Sequence, residues 1–119
     1  MRSTNLFIVR GHAGSDPKAF GRIAKVSVAT NRSWKDAKGE WRDETDWVTL
    51  TILNEGIATW AVKNVKKGDA IYAECRVAEG SYSKNGERHF TTDIIVNTLD
   101  LIVPKVSEKD ADEIGASAS

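Results

Sequence analysis

The 119-residue chain balances 17 Lys plus Arg against 17 Asp plus Glu, and at this length it holds one modest hydrophobic core. Its apolar runs are too short to span a bilayer, and the opening MRSTNLFIVRGHAG lacks the apolar stretch and cleavage site of a secretory signal, so a cytoplasmic protein with no membrane partner is expected. A single cysteine, Cys75, with only His12 and His89 beside it, excludes an internal disulfide and a structural zinc cluster, and neither metal nor cofactor is expected.

Residues 5–10, NLFIVR, are apolar and β-branched, and GHAGSDP follows with two glycines and a proline; the pair predicts a strand and then a turn. In residues 23–30, IAKVSVAT, Ala24, Val26 and Val28 share one side and Lys25 and Ser27 the other, the alternation of a half-buried strand. That strand runs into NRSWKDAKGEWRDETDW, residues 31–47, where three tryptophans sit among charges of both signs. A core segment would keep an unbroken apolar period, so some of these indoles are predicted to face outward. Lys38-Gly39 supplies a reversal that pairs the flanking segments as a long hairpin. In DWVTLTIL, Val48, Leu50 and Ile52 fall on one face and Trp47, Thr49, Thr51 and Leu53 on the other; with the aliphatic row as core, Trp47 points away from it.

The period then changes. In NEGIATWAVKNVKKGD, Ile57, Trp60, Ala61 and Val65 are spaced as one face of a helix of two or three turns, with Trp60 as a core anchor, Lys66 and Lys67 at its C-terminal end and Gly68 as its stop. DAIYAECRVAEGSY alternates again and makes Cys75 a small buried filler, and Asn85-Gly86 is a hairpin signal returning the chain through RHFTTDIIVNTLDLIV. Three strands, a short helix and two strands give an all-β fold: a five-stranded oligonucleotide/oligosaccharide-binding (OB-fold) barrel with one short helix between strands 3 and 4. This domain is expected to occupy residues 1–103. Residues 104–119 are polar, small and acidic, the composition of a disordered tail. Charge divides at the same place: residues 1–103 hold 15 basic and 13 acidic side chains, and the tail 2 and 4.

Catalytic constellations are sparse. Asp43, Glu44 and Asp46 form the one dense carboxylate group, the starting point for a metal nuclease, yet no second cluster completes a two-metal site. The glycines of GHAG suit a plain turn better than the loop of a KH RNA-binding module, and neither a phosphate-cradling loop nor a nucleophile elbow is present. Binding to single-stranded nucleic acid, in contrast, needs flat aromatic faces for bases and Lys or Arg for the backbone. The sequence interleaves both: Trp34 with Arg32 and Lys35, Trp41 with Lys38 and Arg42, Trp47 on its non-core face, and Tyr82 near Lys84 and Arg88.

Taken together, NLFIVRGHAGSDP, VATNRSW, ETDWVTLTILNEGIA, VKKGDAIYAECRV and RHFTTDIIVNTLDLI, in this order and spacing over residues 4–101, resemble the bacterial single-stranded DNA-binding proteins. The resemblance implies a homotetramer, with a dimer as the alternative, that coats single strands in replication, recombination and repair and works in the cytoplasm at the nucleoid without catalysis. It places Trp34, Trp47 and Tyr82 at three of the family's four base-stacking positions, Tyr82 standing where a larger Trp is usual, and Leu53 at the fourth, where Phe is usual. Arg32, Lys35, Lys38 and Arg42 are then phosphate contacts, joined by Arg2, Lys66, Lys67, Arg76, Lys84 and Arg88. The chain departs from the family in the unusually acidic and small Ala78-Glu79-Gly80-Ser81, which implies weaker binding with a shallower salt slope, and in Val48, which replaces a His that helps join subunits. The tail also lacks the Pro-Phe tip that recruits other enzymes, as would suit a phage- or plasmid-borne form. A primosome-type barrel that assembles other proteins and binds DNA weakly is the rival reading.

Overall fold

The computed structural model describes residues 1–103; the expectation of a disordered tail lies outside the described residues. Six strands and one helix follow one another as β1 (Phe7–Ala13), β2 (Lys18–Phe20), β3 (Ile23–Lys35), β4 (Trp41–Ile52), α1 (Glu55–Asn64), β5 (Ala70–Lys84) and β6 (Glu87–Val103). The five long strands run in the order β1-β5-β6-β4-β3, and β1 returns to pair with β3 through His12–Ala29 and Ala13–Val28, which closes the barrel. Every pairing is antiparallel except β4 with β6. This is the OB barrel predicted above, with the helix between its third and fourth long strands and the short β2 added along β3.

The alternation that predicted half-buried strands sets the core. Ala24, Val26 and Val28 of β3 meet Leu50 and Ile52 of β4, and Ile71, Ala73 and Cys75 of β5 complete the interior with Val96 and Leu99 of β6. Burial pushes the Cys75 thiol above its usual pKa, so it stays protonated and packs as an apolar side chain. The alternation stops mattering at Asn31, beyond which every β3 residue through Lys35 is exposed, although pairing with β4 continues to Lys35–Trp41. Likewise β5 and β6 stay paired out to Lys84–Glu87. Two hairpin arms thus carry backbone pairing past the packed core. Their turns are set by Gly39 in one and by Asn85 and Gly86, both at positive φ, in the other.

Three details differ from the sequence reading. First, β1 continues through Gly11 to Ala13, where GHAGSDP had predicted a turn. Gly11 serves a close approach instead: a side chain there would collide with the Ala29 carbonyl of β3. Second, the helix ends at Asn64 because Val65 turns to extended backbone and buries its side chain, while its N–H still donates to the Ala61 carbonyl at 2.9 Å. Lys66 and Lys67 therefore lie in the following loop, and Gly68 plays no part in stopping the helix. Third, Trp60 is no core anchor. Ala58 and Ala61 are the fully buried residues of the helix, with Ile57 and Val62 partly buried against the core, and Trp60, one position off that stripe, remains 38% exposed. Asn54 caps the helix start by accepting the Ile57 N–H at 3.0 Å, an interaction worth about 1 kcal/mol.

Candidate nucleic-acid interface

Register decides which side chains share a surface, because residues directly opposite on paired strands point the same way. On the β3–β4 arm, Trp34 lies opposite Arg42 and Arg32 opposite Glu44, on the face that continues the barrel interior. Lys35 opposite Trp41, Ser33 opposite Asp43 and Ala29 opposite Trp47 occupy the outer face, which runs on through Thr49 and Thr51 to Leu53. Trp34 and Trp47 are thus presented on opposite sides of one arm, whereas Trp47 and Leu53 share a side. All four of Trp34, Trp41, Trp47 and Leu53 are exposed, and so are Lys35 and Lys38.

The arm's arginines are already engaged. Arg32 donates from Nη2 to Glu44 Oε2 at 2.6 Å and from Nε to Asp46 Oδ2 at 2.9 Å, and its guanidinium carbon lies 4.7 Å from the centroid of the Trp34 ring. Arg42 donates from Nε to Asp36 Oδ2 at 3.0 Å and approaches Glu40 at 3.8 Å. Asp36 also accepts the backbone N–H groups of Lys38 and Glu40, each at 2.9 Å. Hydrogen bonding from the Glu40 N–H, with help from Arg42 and the Lys38 N–H, outweighs desolvation and holds the Asp36 carboxyl below its usual pKa. Asp36 is therefore the organiser of the turn. Lys35 and Lys38 make no ion pair among the described residues.

The carboxylates considered for a metal site have separate partners on separate faces. Glu44 and Asp46 hold Arg32, while Asp43 accepts a hydrogen bond from the Ser33 hydroxyl on the other side. Among the described residues, no group of three or more His, Cys, Asp or Glu side chains is arranged to hold a metal ion.

On the β5–β6 arm, Tyr82 lies opposite His89, and their rings stack with centroids 5.1 Å apart and planes 20° off parallel. Alternation places Lys84 and Arg76 on the same face as Tyr82. Arg88 is on the other face, where it donates to Ser81 Oγ from both Nε and Nη2 at 3.3 Å and lies 5.6 Å from the Phe90 ring centroid. Phe90, 76% exposed, was missed by the sequence reading, as was the Tyr82–His89 stack; the alternation in ERHF, once tied to the Asn85-Gly86 turn, carried the signal. The loop that carries Lys66 and Lys67 is tied by backbone hydrogen bonds to the segment against which Trp47 rests. The indole lies against Gly14, the neighbouring Ala13 bonds to Gly68 and Asp69, and the Lys67 N–H donates to Asp16 at 2.7 Å. Arg2 is exposed ahead of β1.

Comparison with known proteins follows the same outline. Residues 5–102 match the family described as "Single-strand binding protein family". A single-stranded DNA-binding protein of Rhizobium meliloti is 32% identical over 101 residues, which are 79% of this chain and 58% of the relative, so the match spans less than two thirds of that protein. Among solved structures, the Plasmodium falciparum SSB in complex with ssDNA superposes with a TM-score of 0.72 at 27% identity, covering 88% of this chain and 98% of that one. A single-stranded DNA binding protein from Thermus aquaticus, 18% identical, gives 0.71 over 83% of this chain and 50% of that one. A mitochondrial one from S. cerevisiae, 21% identical, gives 0.61 over 87% and 100%. These last two share the fold.

Proposed function

The chain belongs to the single-strand binding protein family, and on that premise we propose that it binds and protects single-stranded DNA in replication, recombination and repair, without sequence preference and without catalysis. The observation that carries this reading is the set of exposed rings beside cations on two arms that project past a closed core. Exposed indoles gain little in water, but a base stacked on such a ring contributes about 1–3 kcal/mol, and Lys or Arg beside it neutralises the backbone. Trp34, Trp47 and Tyr82 are assigned to base stacking and Leu53 to apolar packing. Lys35, Lys38, Lys66, Lys67, Arg76, Lys84, Arg88 and Arg2 are assigned to phosphates, with Arg32 and Arg42 reaching them by exchange from their carboxylates. Each barrel would then cover on the order of 4–16 nucleotides.

Self-association, as a homotetramer, is part of the proposal. Its support is the edge of β1: only His12 and Ala13 pair with β3, and Leu6 and Ile8 are exposed alongside, an apolar margin suited to a second copy. No helix among the described residues is long and apolar enough to cross a membrane. The test is fluorescence anisotropy of a labelled oligo(dT) titrated with protein, beside a duplex of equal length. Tight binding of the single strand alone supports the reading; equal binding of both, or of neither, rejects it.

A further inference from the structure

The outer face of the barrel continues beyond Trp47 onto elements that the sequence reading left unused. Lys25 of β3 lies between Thr51 of β4 and Lys18 of β2, and Ile23 lies opposite Phe20 one step further. Phe20 is 54% exposed although its strand is only three residues long. Beside it an open depression of about 230 Å³ is bordered by Ser15, Lys18, Lys25, Ser27 and Thr49. The two lysines are exposed and directly opposite each other, a like-charge cross-strand arrangement that costs stability. Among the described residues neither has a carboxylate within 4 Å, unlike Arg32 and Arg42 on the adjoining arm. An uncompensated cation pair beside an exposed ring, with the Ser27 and Thr49 hydroxyls further along the same face, matches the chemistry of a nucleotide: a flat base for the ring and a phosphodiester for the ammonium groups.

We propose that Phe20, Lys18 and Lys25 form a further single-stranded DNA subsite, in which Phe20 stacks on a base and the two lysines hold its flanking phosphates. The subsite extends the outer-face path of Trp47, Thr49 and Thr51. Leu53 ends that path, and Phe20 lies roughly two strand spacings, about 10 Å, across the sheet from it. This inference rests on the single-stranded DNA reading, and its test separates the two.

Phe20→Leu, Phe20→Tyr and a Lys18→Ala/Lys25→Ala double variant are compared with the unaltered protein by anisotropy on oligo(dT) long enough to fill the surface, over a range of salt concentrations. Sedimentation velocity follows oligomeric state. Phe20→Leu is expected to raise Kd about five- to tenfold and Phe20→Tyr to restore it, as loss of a stacking ring requires. The lysine variant is expected to reduce the magnitude of the salt slope by about 1.4, the effect of two released phosphate contacts on a single strand. The proposal is overturned if Phe20→Leu binds within twofold of the unaltered protein and the lysine variant keeps the full slope. It is also overturned if Phe20→Leu changes only the oligomeric state, which would make the patch a contact between copies. Failure of the unaltered protein to bind oligo(dT) would remove the single-stranded DNA reading itself, and the subsite with it.

Discussion

The edge of the Trp47 indole lies so close to Gly14 that a side chain there would collide with Cζ3 and come within 3.1 Å of Cη2. The loop after β1 therefore sets the pose of a ring on β4, and the Gly14 N–H fixes that loop by donating to the Ser27 carbonyl at 2.7 Å. Gly14→Ala is expected to swing the exposed indole aside with little loss of stability and to weaken single-strand binding several-fold. Trp47→Ala is expected to cost the larger part of a stacking contact, about 1–3 kcal/mol. Equal affinities for Gly14→Ala and the parent protein in an anisotropy titration would show that the pose is immaterial.

Arg32 is held by Glu44 and Asp46 at an exposed site, where such pairs contribute about 0–1 kcal/mol. That is weak enough for a phosphate to displace them, yet large enough to compete. Glu44→Gln with Asp46→Asn should therefore tighten oligo(dT) binding about two- to fivefold, with a salt slope steeper by about 0.7 for one more phosphate contact. Unchanged affinity and slope would mean that Arg32 serves the arm alone.

The Asp36 turn predicts a pH response of definite sign. Because the folded arm holds this carboxyl below its ordinary value of 3.8, its contribution is complete above that value and is lost as pH falls through the lower folded pKa. Amide protection at Lys38 and Glu40, followed by NMR, should persist at pH 3.8 and decline only below it. Asp36→Asn should weaken that protection at neutral pH. A midpoint above 3.8 would contradict the assignment.

Stability and binding should separate at the helix. Asn54→Ala removes the hydrogen bond to the Ile57 N–H and is expected to lower unfolding free energy by about 1 kcal/mol, read by urea denaturation, with oligo(dT) affinity unchanged. Tyr82→Trp should do the reverse, enlarging the exposed ring opposite His89 and tightening binding without a change in stability.

The barrel was legible in the sequence because period-2 burial in IAKVSVAT, DWVTLTIL and DAIYAEC is a direct imprint of a closed sheet, and because Asn85-Gly86 fixes its own hairpin. The outward placement of Trp47 and Leu53 followed from the same alternation. Tertiary distances were not legible. Trp60 looked like an anchor because helical spacing gives only the approximate direction of a side chain, and the face that the helix buries is centred on Ala58 and Ala61, one position away. Gly11 looked like a turn because a glycine demanded by a neighbouring strand and one demanded by a reversal are written alike. The Arg32 and Arg42 ion pairs depended on cross-strand register, which charge order along the chain did not disclose.

Contact between the exposed indoles and single-stranded DNA can be read from intrinsic tryptophan fluorescence titrated with poly(dT) at several salt concentrations, beside a double-stranded control. Strong quenching by the single strand alone is expected, weakening as salt rises and reduced in Trp34→Phe and Trp47→Phe variants. Fluorescence unaltered by poly(dT) at low salt would contradict it and leave the tryptophans to meet another protein.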